Sequence, residues 1–462
     1  MAIIMQNKIK EVPGLLFVAE SMELLSSAGR RRMLEQTFLT DPAALQREQD
    51  AVDAVRQRLD DASCASSLTL LRHQLMQLHD LHTTLASLQS HFLLSEVDLF
   101  EIKNIAFLCG KSRSALAAMR LESSFPLPDL QAVFDILDPD HTGIPNFYIY
   151  DSYDIRLAPL RRQMKQADDA QMTILMAEQN EIQQQVITSL CERLQPYSAA
   201  LAQALERLSY IDFTLARAAL AVRWGLHAPQ TGSGWQGFKN LFNPRLRQCN
   251  ETAGLRYQPL DIALTPGVTL VTGANMAGKT VLLKSVGVAQ LMYQFGFPVP
   301  ADEACLRPVD NVLFCIGDEQ NEMNGLSSFA AEITHISDLL RLSETQNLMI
   351  LIDEPARTTN PIEGKALVQA LAAILQQRQS VTLITTHYSQ LGIPCRRLRV
   401  RGFVESMVDM PLTPDNINRF IDYSLVDDDS DEVPQEALRI AQMLGCHPGL
   451  VAEAGRRLRG DA

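Results

Sequence analysis

The sequence lacks any long apolar run: no stretch approaches the roughly 20 residues that a membrane-crossing helix needs, and no membrane partner is expected. Metal-type cysteine pairs are missing too. The eight cysteines, Cys64, Cys109, Cys191, Cys249, Cys305, Cys315, Cys395 and Cys446, form no Cys-x-x-Cys pair and have no His-rich cluster beside them. That spacing argues against a zinc site or disulfide frame and for reduced core thiols. The start, MAIIMQNKIKEVPGLL, has no secretory hydrophobic region with a cleavage site, which makes a cytoplasmic location the expectation. An excess of basic charge is also absent: 41 Lys and Arg face 54 Asp and Glu, a formal net charge of −13. Because non-specific DNA affinity comes mainly from cations that neutralise phosphates, such a chain is a poor default DNA binder. Two arginine runs, Gly29-Arg30-Arg31-Arg32 and Arg396-Arg397-Leu398-Arg399, are read as solvated helix or strand faces.

What is present is a soluble composition, 46% hydrophobic and 21% charged, over 462 residues. That length exceeds one ordinary core and predicts two or three domains. Up to about residue 222 the pattern is almost wholly helical. Asp41-Pro42 reads as an N-cap followed by proline at the first helical position, ahead of Leu45, Val52, Val55 and Leu59 at helical spacing. A second stripe runs through Leu157, Leu160, Met164, Leu175, Ile182, Val186, Leu190 and Leu194 until Pro196, and a third through Leu201, Leu205, Leu208, Leu215 and Val222. Such stripes are core faces of packed helices. Between the first two lies the turn-rich 139–145, followed by Phe147-Tyr148-Ile149-Tyr150, which reads as a short strand. The Gly-, Pro- and Ser-rich stretch 228–237 reads as a linker. Beyond it, β-branched apolar runs at 268–272, 348–352 and 381–385 alternate with helical patterns, the signature of a parallel sheet covered on both faces.

Gly273-Ala274-Asn275-Met276-Ala277-Gly278-Lys279-Thr280 satisfies Gly-x4-Gly-Lys-[Ser/Thr], after a predicted strand and before a predicted helix. Glycines let the backbone curl so that successive N–H groups, continuing to Val281, converge on phosphate oxygens. Lys279 is placed to reach the β and γ phosphates, and the Thr280 hydroxyl to ligate Mg²⁺. The pattern alone arises by chance in about one chain in a hundred of this length, and the flanking strand and helix make chance much rarer. The strand at 348–352 runs into Asp353-Glu354: one carboxylate to hold Mg²⁺ through its water shell, the next to orient and deprotonate an attacking water. His387 ends the following apolar strand.

The segment 272–280, with its Asn-Met pair, resembles the Walker A motif of the MutS mismatch-repair family. Phe297-Pro298-Val299-Pro300-Ala301 is similar to the segment after that family's P-loop helix. Ile316-Gly317-Asp318 and Gly325-Leu326-Ser327-Ser328-Phe329-Ala330-Ala331-Glu332 resemble its trans-acting signature loop, and Thr386-His387-Tyr388-Ser389-Gln390-Leu391 its histidine loop. Residues 29–34 and 47–52 are loosely similar to the start of its core domain. The resemblance implies ATP and Mg²⁺ as cofactors, His387 at the γ-phosphate, and a dimer, of like or paralogous subunits, in which Ser327 approaches the partner's nucleotide. It also implies an all-α core and lever domain (1–227), a linker (228–240), an α/β P-loop ATPase domain of ABC/MutS type (241–410), and a helical C-terminal dimerisation segment (411–462). There, 435–458 reads as helical and the acidic run 427–432 as a solvated loop.

The departures are equally informative. No Phe-x-Glu wedge appears before the linker, the one instance being Phe403-Val404-Glu405, and 153–196 is too short to hold a clamp between two lever helices. The loop Pro355-Ala356-Arg357-Thr358-Thr359-Asn360-Pro361-Ile362-Glu363-Gly364 stands where mismatch readers have a glycine-rich one. It more faintly resembles the MutS-related ATPases that reactivate adenosylcobalamin-dependent aminomutases. The sequence therefore favours a dimeric ATPase that remodels a protein client such as a cobalamin-dependent aminomutase. A DNA-acting relative working on mismatched, branched or recombining DNA is the alternative.

Overall fold

The computed structural model describes residues 3–232, 235–274, 277–317, 328–405, 412–413, 416–428 and 437–458. The chain divides into two compact units that are interleaved in sequence: Met1–Asn7, Ser21–Thr37 and Asp50–Arg223 form one, and Lys8–Glu20, Phe38–Gln49 and Trp224–Ala462 the other.

The first unit is helical, and local chemistry sets its helix ends. The helix Pro42–Leu59, which enters this unit at Asp50, begins where both Asp41 carboxylate oxygens accept first-turn N–H groups, from Ala43 and Ala44 at 3.2 and 3.1 Å. The stripe over 157–194 is not continuous but makes two helices, Leu157–Met164 and Asp169–Leu194. Asp168 caps the second by accepting the Gln171 N–H at 2.8 Å in an extended conformation incompatible with continuing the first. The third stripe is the helix Ser198–Trp224, although Val222 is exposed. Val52, Leu157, Ile182, Leu190, Leu205 and Leu215 meet in one core. The aromatic stretch 147–150 is irregular rather than a strand.

The physical reason for that irregularity is a buried charge. Lys103 and Asp138 are both almost inaccessible and pair at 3.0 Å, while Lys103 also donates to the Asn146 carbonyl at 2.7 Å and the Tyr150 hydroxyl at 3.2 Å. The backbone around Tyr150 bends to serve the ammonium instead of a neighbouring strand. Burial alone pushes the Asp138 carboxyl up, but the Thr142 hydroxyl, the Gly143 N–H and Lys103 outweigh it and hold it at about 2. A carboxyl depressed on folding gives stability that is present above the unfolded value near 4 and lost as pH falls through about 2. Asp138→Asn is therefore expected to cost roughly 3 kcal/mol at neutral pH by stranding a buried ammonium. Denaturant midpoints across pH check this: the gap to the unmodified protein should narrow toward pH 2, and a pH-independent gap would contradict the linkage.

The second unit holds two sheets. Strands β1 (Gln230–Thr231), β2 (Gly237–Leu241), β3 (Leu260–Ala263), β4 (Gly267–Thr272), β5 (Glu303–Leu306), β6 (Asn311–Cys315), β7 (Leu348–Asp353), β8 (Val381–Thr385), β9 (Arg396–Phe403) and β10 (Ile421–Asp427) follow in chain order. The smaller sheet runs β1-β5-β2-β3, so residues that composition marks as linker carry strand β1 and the first residue of β2. The larger sheet runs β10-β9-β4-β8-β7-β6. It is parallel from β9 to β6, with β10 antiparallel at its edge. The parallel sheet expected from the runs at 268–272, 348–352 and 381–385 is thus realised in three adjacent strands.

Helices close on this sheet at short range. Gly287, inside the helix Lys279–Gln294, leaves room for Phe314 and Leu351; a Cβ there would lie 2.4 and 2.5 Å from their side chains. The C-terminal stretch forms the helices Ala437–Met443 and Pro448–Leu458. No helix among the described residues is long and apolar enough to cross a membrane. All eight cysteines are free thiols, but only Cys64, Cys109 and Cys315 are buried, and Cys249 is exposed, so the core-thiol expectation holds for part of the set.

The arginine runs are only partly the solvated faces expected, because most of their side chains are half-buried and engaged within the protein. Arg31 pairs with Glu35 and Asp80, and Arg32 lies over the Tyr210 ring. On β9, Arg396 pairs with Asp427 and Arg399 with Asp428, so the start of the acidic run neutralises the second basic run. Asp427 also belongs to β10, and residues 429–432 of the expected loop lie outside the described ones.

Candidate functional site

The site forms at the C-terminal ends of β4, β7 and β8, the side of an open parallel sheet where ligands bind. The loop after β4 starts and ends on glycines with left-handed backbone: Gly273 at φ 145° and Gly278 at φ 73°. A side chain at Gly273 would press on Val400, and one at Gly278 on the Tyr423 ring, 3.1 Å away. Gly278 is the N-cap of the helix Lys279–Gln294, and no side chain caps that helix. Its first-turn N–H groups, Val281 among them, therefore keep their capacity for an anion.

Lys279 is buried, and its ammonium donates to the carbonyls of Gly273 at 2.8 Å and Ala274 at 3.1 Å. It also faces Glu354 Oε1 at 3.3 Å. Beside it, the Thr280 hydroxyl donates to Asp353 Oδ2 at 2.6 Å, and Thr385 donates to Asp353 Oδ1 at 2.5 Å. A hydroxyl and a carboxylate so close are hard oxygen donors of the kind Mg²⁺ takes, the rest of its shell coming from water and phosphate. The residues thus fit a Mg-nucleotide. Among the described residues there is no group of three or more His, Cys, Asp or Glu able to hold a metal.

The two acids are divided by backbone geometry. Asp353 ends β7, whereas Glu354 turns to φ 44°, its N–H donating to the Thr385 hydroxyl at 2.9 Å and the Thr385 carbonyl at 3.2 Å. Its carboxylate lies between Lys279 and Arg357, the latter 3.2 Å from Oε2. Burial pushes the Glu354 carboxyl up, but Arg357 and Lys279 hold it below the usual range, so it is ionised at neutral pH. His387 follows β8, where the Thr386 N–H still donates to the Val271 carbonyl at 3.1 Å and so keeps the histidine loop beside the P-loop. The His387 imidazole is shifted down, first by partial desolvation and then by Lys279 and Arg357, against the pull of Glu354, although much of the residue reaches solvent. It is neutral at pH 7.

Lys279, Thr280, Asp353, Glu354 and His387 are therefore brought together. Asn275, Met276 and Ser327 lie outside the described residues. Sequence reasoning missed Arg357, Thr385 and Tyr423. Arg357 and Thr385 stood inside quoted segments, but nothing in a linear pattern says which carboxylate an arginine or hydroxyl meets. Tyr423 is far away in sequence and reaches Gly278 because β10 returns along β9.

Comparison with known proteins matches residues 269–454 to MutS domain V, a span containing every candidate residue from Gly273 to His387. The chain is 32% identical over 288 residues to Endonuclease MutS2 of Gemmatimonas aurantiaca, covering 61% of this chain and 33% of that protein. It is 34% identical over 223 residues to Endonuclease MutS2 of Streptococcus uberis, covering 48% and 28%. It is 32% identical over 215 residues to the DNA mismatch repair protein MutS of Thermus aquaticus, covering 46% and 26%. The chain thus spans no more than a third of the length of these curated relatives. Two are named endonucleases and one a DNA mismatch repair protein, so the expected aminomutase client gains no support from them and the DNA-acting alternative is the closer of the two.

Proposed function

We propose, from the premise that this chain belongs to the MutS family, that it is a Mg-dependent ATP hydrolase whose turnover drives its helical unit on DNA. The observation that carries the reading is the meeting of Lys279, Glu354, Thr280 and Asp353 within hydrogen-bonding and ion-pairing range behind an uncapped P-loop helix.

Each residue then has a task. On arrival of a triphosphate, Lys279 exchanges the Gly273 and Ala274 carbonyls and the Glu354 carboxylate for phosphate oxygens. The Thr280 hydroxyl and the Asp353 carboxylate are the groups that would hold Mg²⁺, which would supply neutralisation of charge on the phosphates. Glu354, released from Lys279 but still backed by Thr385, orients water and accepts its proton. Neutral His387 donates a hydrogen bond at the γ-phosphate, and the Tyr423 face beside Gly278 offers a platform for the base. Ser327 of a second copy completes the site in a dimer. Leu450 and Leu458, exposed on the helix Pro448–Leu458, are available to such an assembly.

The test of the DNA arm is turnover measured with a four-way junction, a linear duplex or no DNA at rising salt. Several-fold stimulation by branched DNA is expected at about 50 mM salt, fading by about 200 mM as phosphate contacts are screened. Turnover indifferent to DNA at low salt, with no DNA retained in a gel shift, would remove DNA from the reading and leave the ATPase.

A further inference from the structure

Two residues without glycine's freedom, Glu354 and Ala356, occupy left-handed backbone at φ 44° and 58° within one short loop. For ordinary side chains this conformation is disfavoured and persists where surroundings enforce it. At Glu354 the enforcing groups are the Thr385 hydroxyl and carbonyl already described. At Ala356 they come from two other elements. The Ala356 N–H donates to Glu332 Oε1 at 2.8 Å, and its carbonyl accepts the Tyr388 hydroxyl at 3.1 Å. Glu332 lies on the helix Ser328–Leu342, and Tyr388 follows His387.

The clamp is built to close tolerance. Gly364 allows it: a Cβ there would lie 2.2 Å from the Tyr388 hydroxyl and 2.9 Å from the Ala356 carbonyl. The Tyr388 phenol is pushed up by burial and by the Glu332 carboxylate, so it stays a donor over the whole working range. Ala356 itself is buried, so neither lost bond is replaced by bulk water without rearrangement. Arg357, the next residue, reaches back to Glu354 at 3.2 Å.

We propose that Glu332 and Tyr388 are positioning residues for Glu354: they grip the Ala356 peptide from both sides and so fix the turn that holds Glu354 and Arg357 in register with Lys279. The inference rests on the ATPase reading for its kinetic consequence. It adds a route of control, because Glu332 sits on the helix entered directly after the Ser327 segment. Any movement of that helix loosens or seats the turn that carries the water-activating carboxylate.

The test uses the full chain with Glu332→Ala, Glu332→Gln and Tyr388→Phe, alone and combined, and Glu332→Ala with Ala356→Gly. Equilibrium binding of a non-hydrolysable ATP analogue reports an intact fold and P-loop, and should stay within about twofold. Glu332→Ala and Tyr388→Phe should each lower kcat about tenfold, the cost of one lost buried hydrogen bond expressed in the rate. Glu332→Gln, which keeps an acceptor oxygen, should regain most of the rate. The combined variant should be far less damaged than the product of the two, because one clamp is broken once. Ala356→Gly should restore part of the rate to Glu332→Ala, since glycine adopts the left-handed turn unaided. Backbone hydrogen exchange over 354–357 should quicken in Glu332→Ala and Tyr388→Phe whether or not the protein hydrolyses ATP. Unchanged exchange there, or unchanged kcat in an active protein, overturns the clamp. Absent turnover in the unmodified protein, with exchange quickened as stated, overturns the ATPase reading and spares it.

Discussion

Glu354→Gln is expected to bind Mg-ATP and all but stop hydrolysing it, with turnover lower by at least about a hundredfold, the usual worth of a positioned general base. The substitution keeps the size of the side chain and one carbonyl oxygen, but it removes the negative charge that Lys279 and Arg357 hold ionised. The side chain is largely buried, while the neighbouring Asp353 carboxylate is occupied by the Thr280 and Thr385 hydroxyls. Binding should hold or tighten. Glu354 faces Lys279 at 3.3 Å and would compete with phosphate for it, and the neutral amide would compete less. Fluorescent ATP-analogue binding and phosphate release, measured on the same preparation, separate the two effects. Turnover equal to that of the unmodified chain would sink the assignment of Glu354 as base.

The second large effect is expected in the helical unit, at Gly29. Gly29 lies in the first turn of the helix Ser27–Glu35, whose N-cap Ser26 accepts the Gly29 N–H at 2.8 Å. Asp212, fully buried on the helix Ser198–Trp224, accepts the Leu25 N–H at 3.1 Å, the Ser26 N–H at 2.9 Å and the Ser26 hydroxyl at 2.5 Å. Its carboxylate crosses so close to Gly29 that a Cβ there would lie 2.1 Å from Oδ2. Helix propensity alone makes Gly29→Ala favourable by about 1 kcal/mol. The displaced carboxylate instead loses its donors while still buried, which predicts a net loss of roughly 3 kcal/mol or more. Burial already pushes the Asp212 carboxyl up against those bonds, a sign of how much the site depends on them. Chemical denaturation reads the result directly, and a midpoint unchanged or raised would show that the helix end yields without cost. Gly29→Ala with Asp212→Ala should be milder than the two losses added, because they act on one contact.

Glycine 29 also shows where linear reading stops. Its place in Gly29-Arg30-Arg31-Arg32 drew attention as basic charge, whereas its structural task is the absence of a side chain opposite Asp212, more than 180 residues away. The loop after Glu354 makes the same point. As a sequence, Pro355-Ala356-Arg357 departs from a glycine-rich pattern and pointed to a protein client. In three dimensions Ala356 holds a glycine-like conformation because Glu332 and Tyr388 grip it.

The sequence by itself determined the local elements and which candidate residues they carry. Period-3.6 stripes made helices, β-branched runs made parallel strands, and Gly273 and Gly278 made the turn between strand and helix, since these are short-range consequences of backbone geometry. Asp353 and Glu354 were legible as a pair because a strand end exposes consecutive carboxylates. What only the tertiary structure decided is which distant groups stand beside them: Thr385 on Asp353, Arg357 and Lys279 on Glu354, and Tyr423 against Gly278. The interleaving of 8–20 and 38–49 with the sheet-bearing second unit was likewise invisible. Gln294, on the P-loop helix, donates to the Leu39 and Val309 carbonyls at 2.9 and 2.7 Å, and no periodicity along the chain encodes such a bond. Sheet order, burial and long-range hydrogen bonds are set by which surfaces pack together, and that is a property of the folded chain and not of any segment of it.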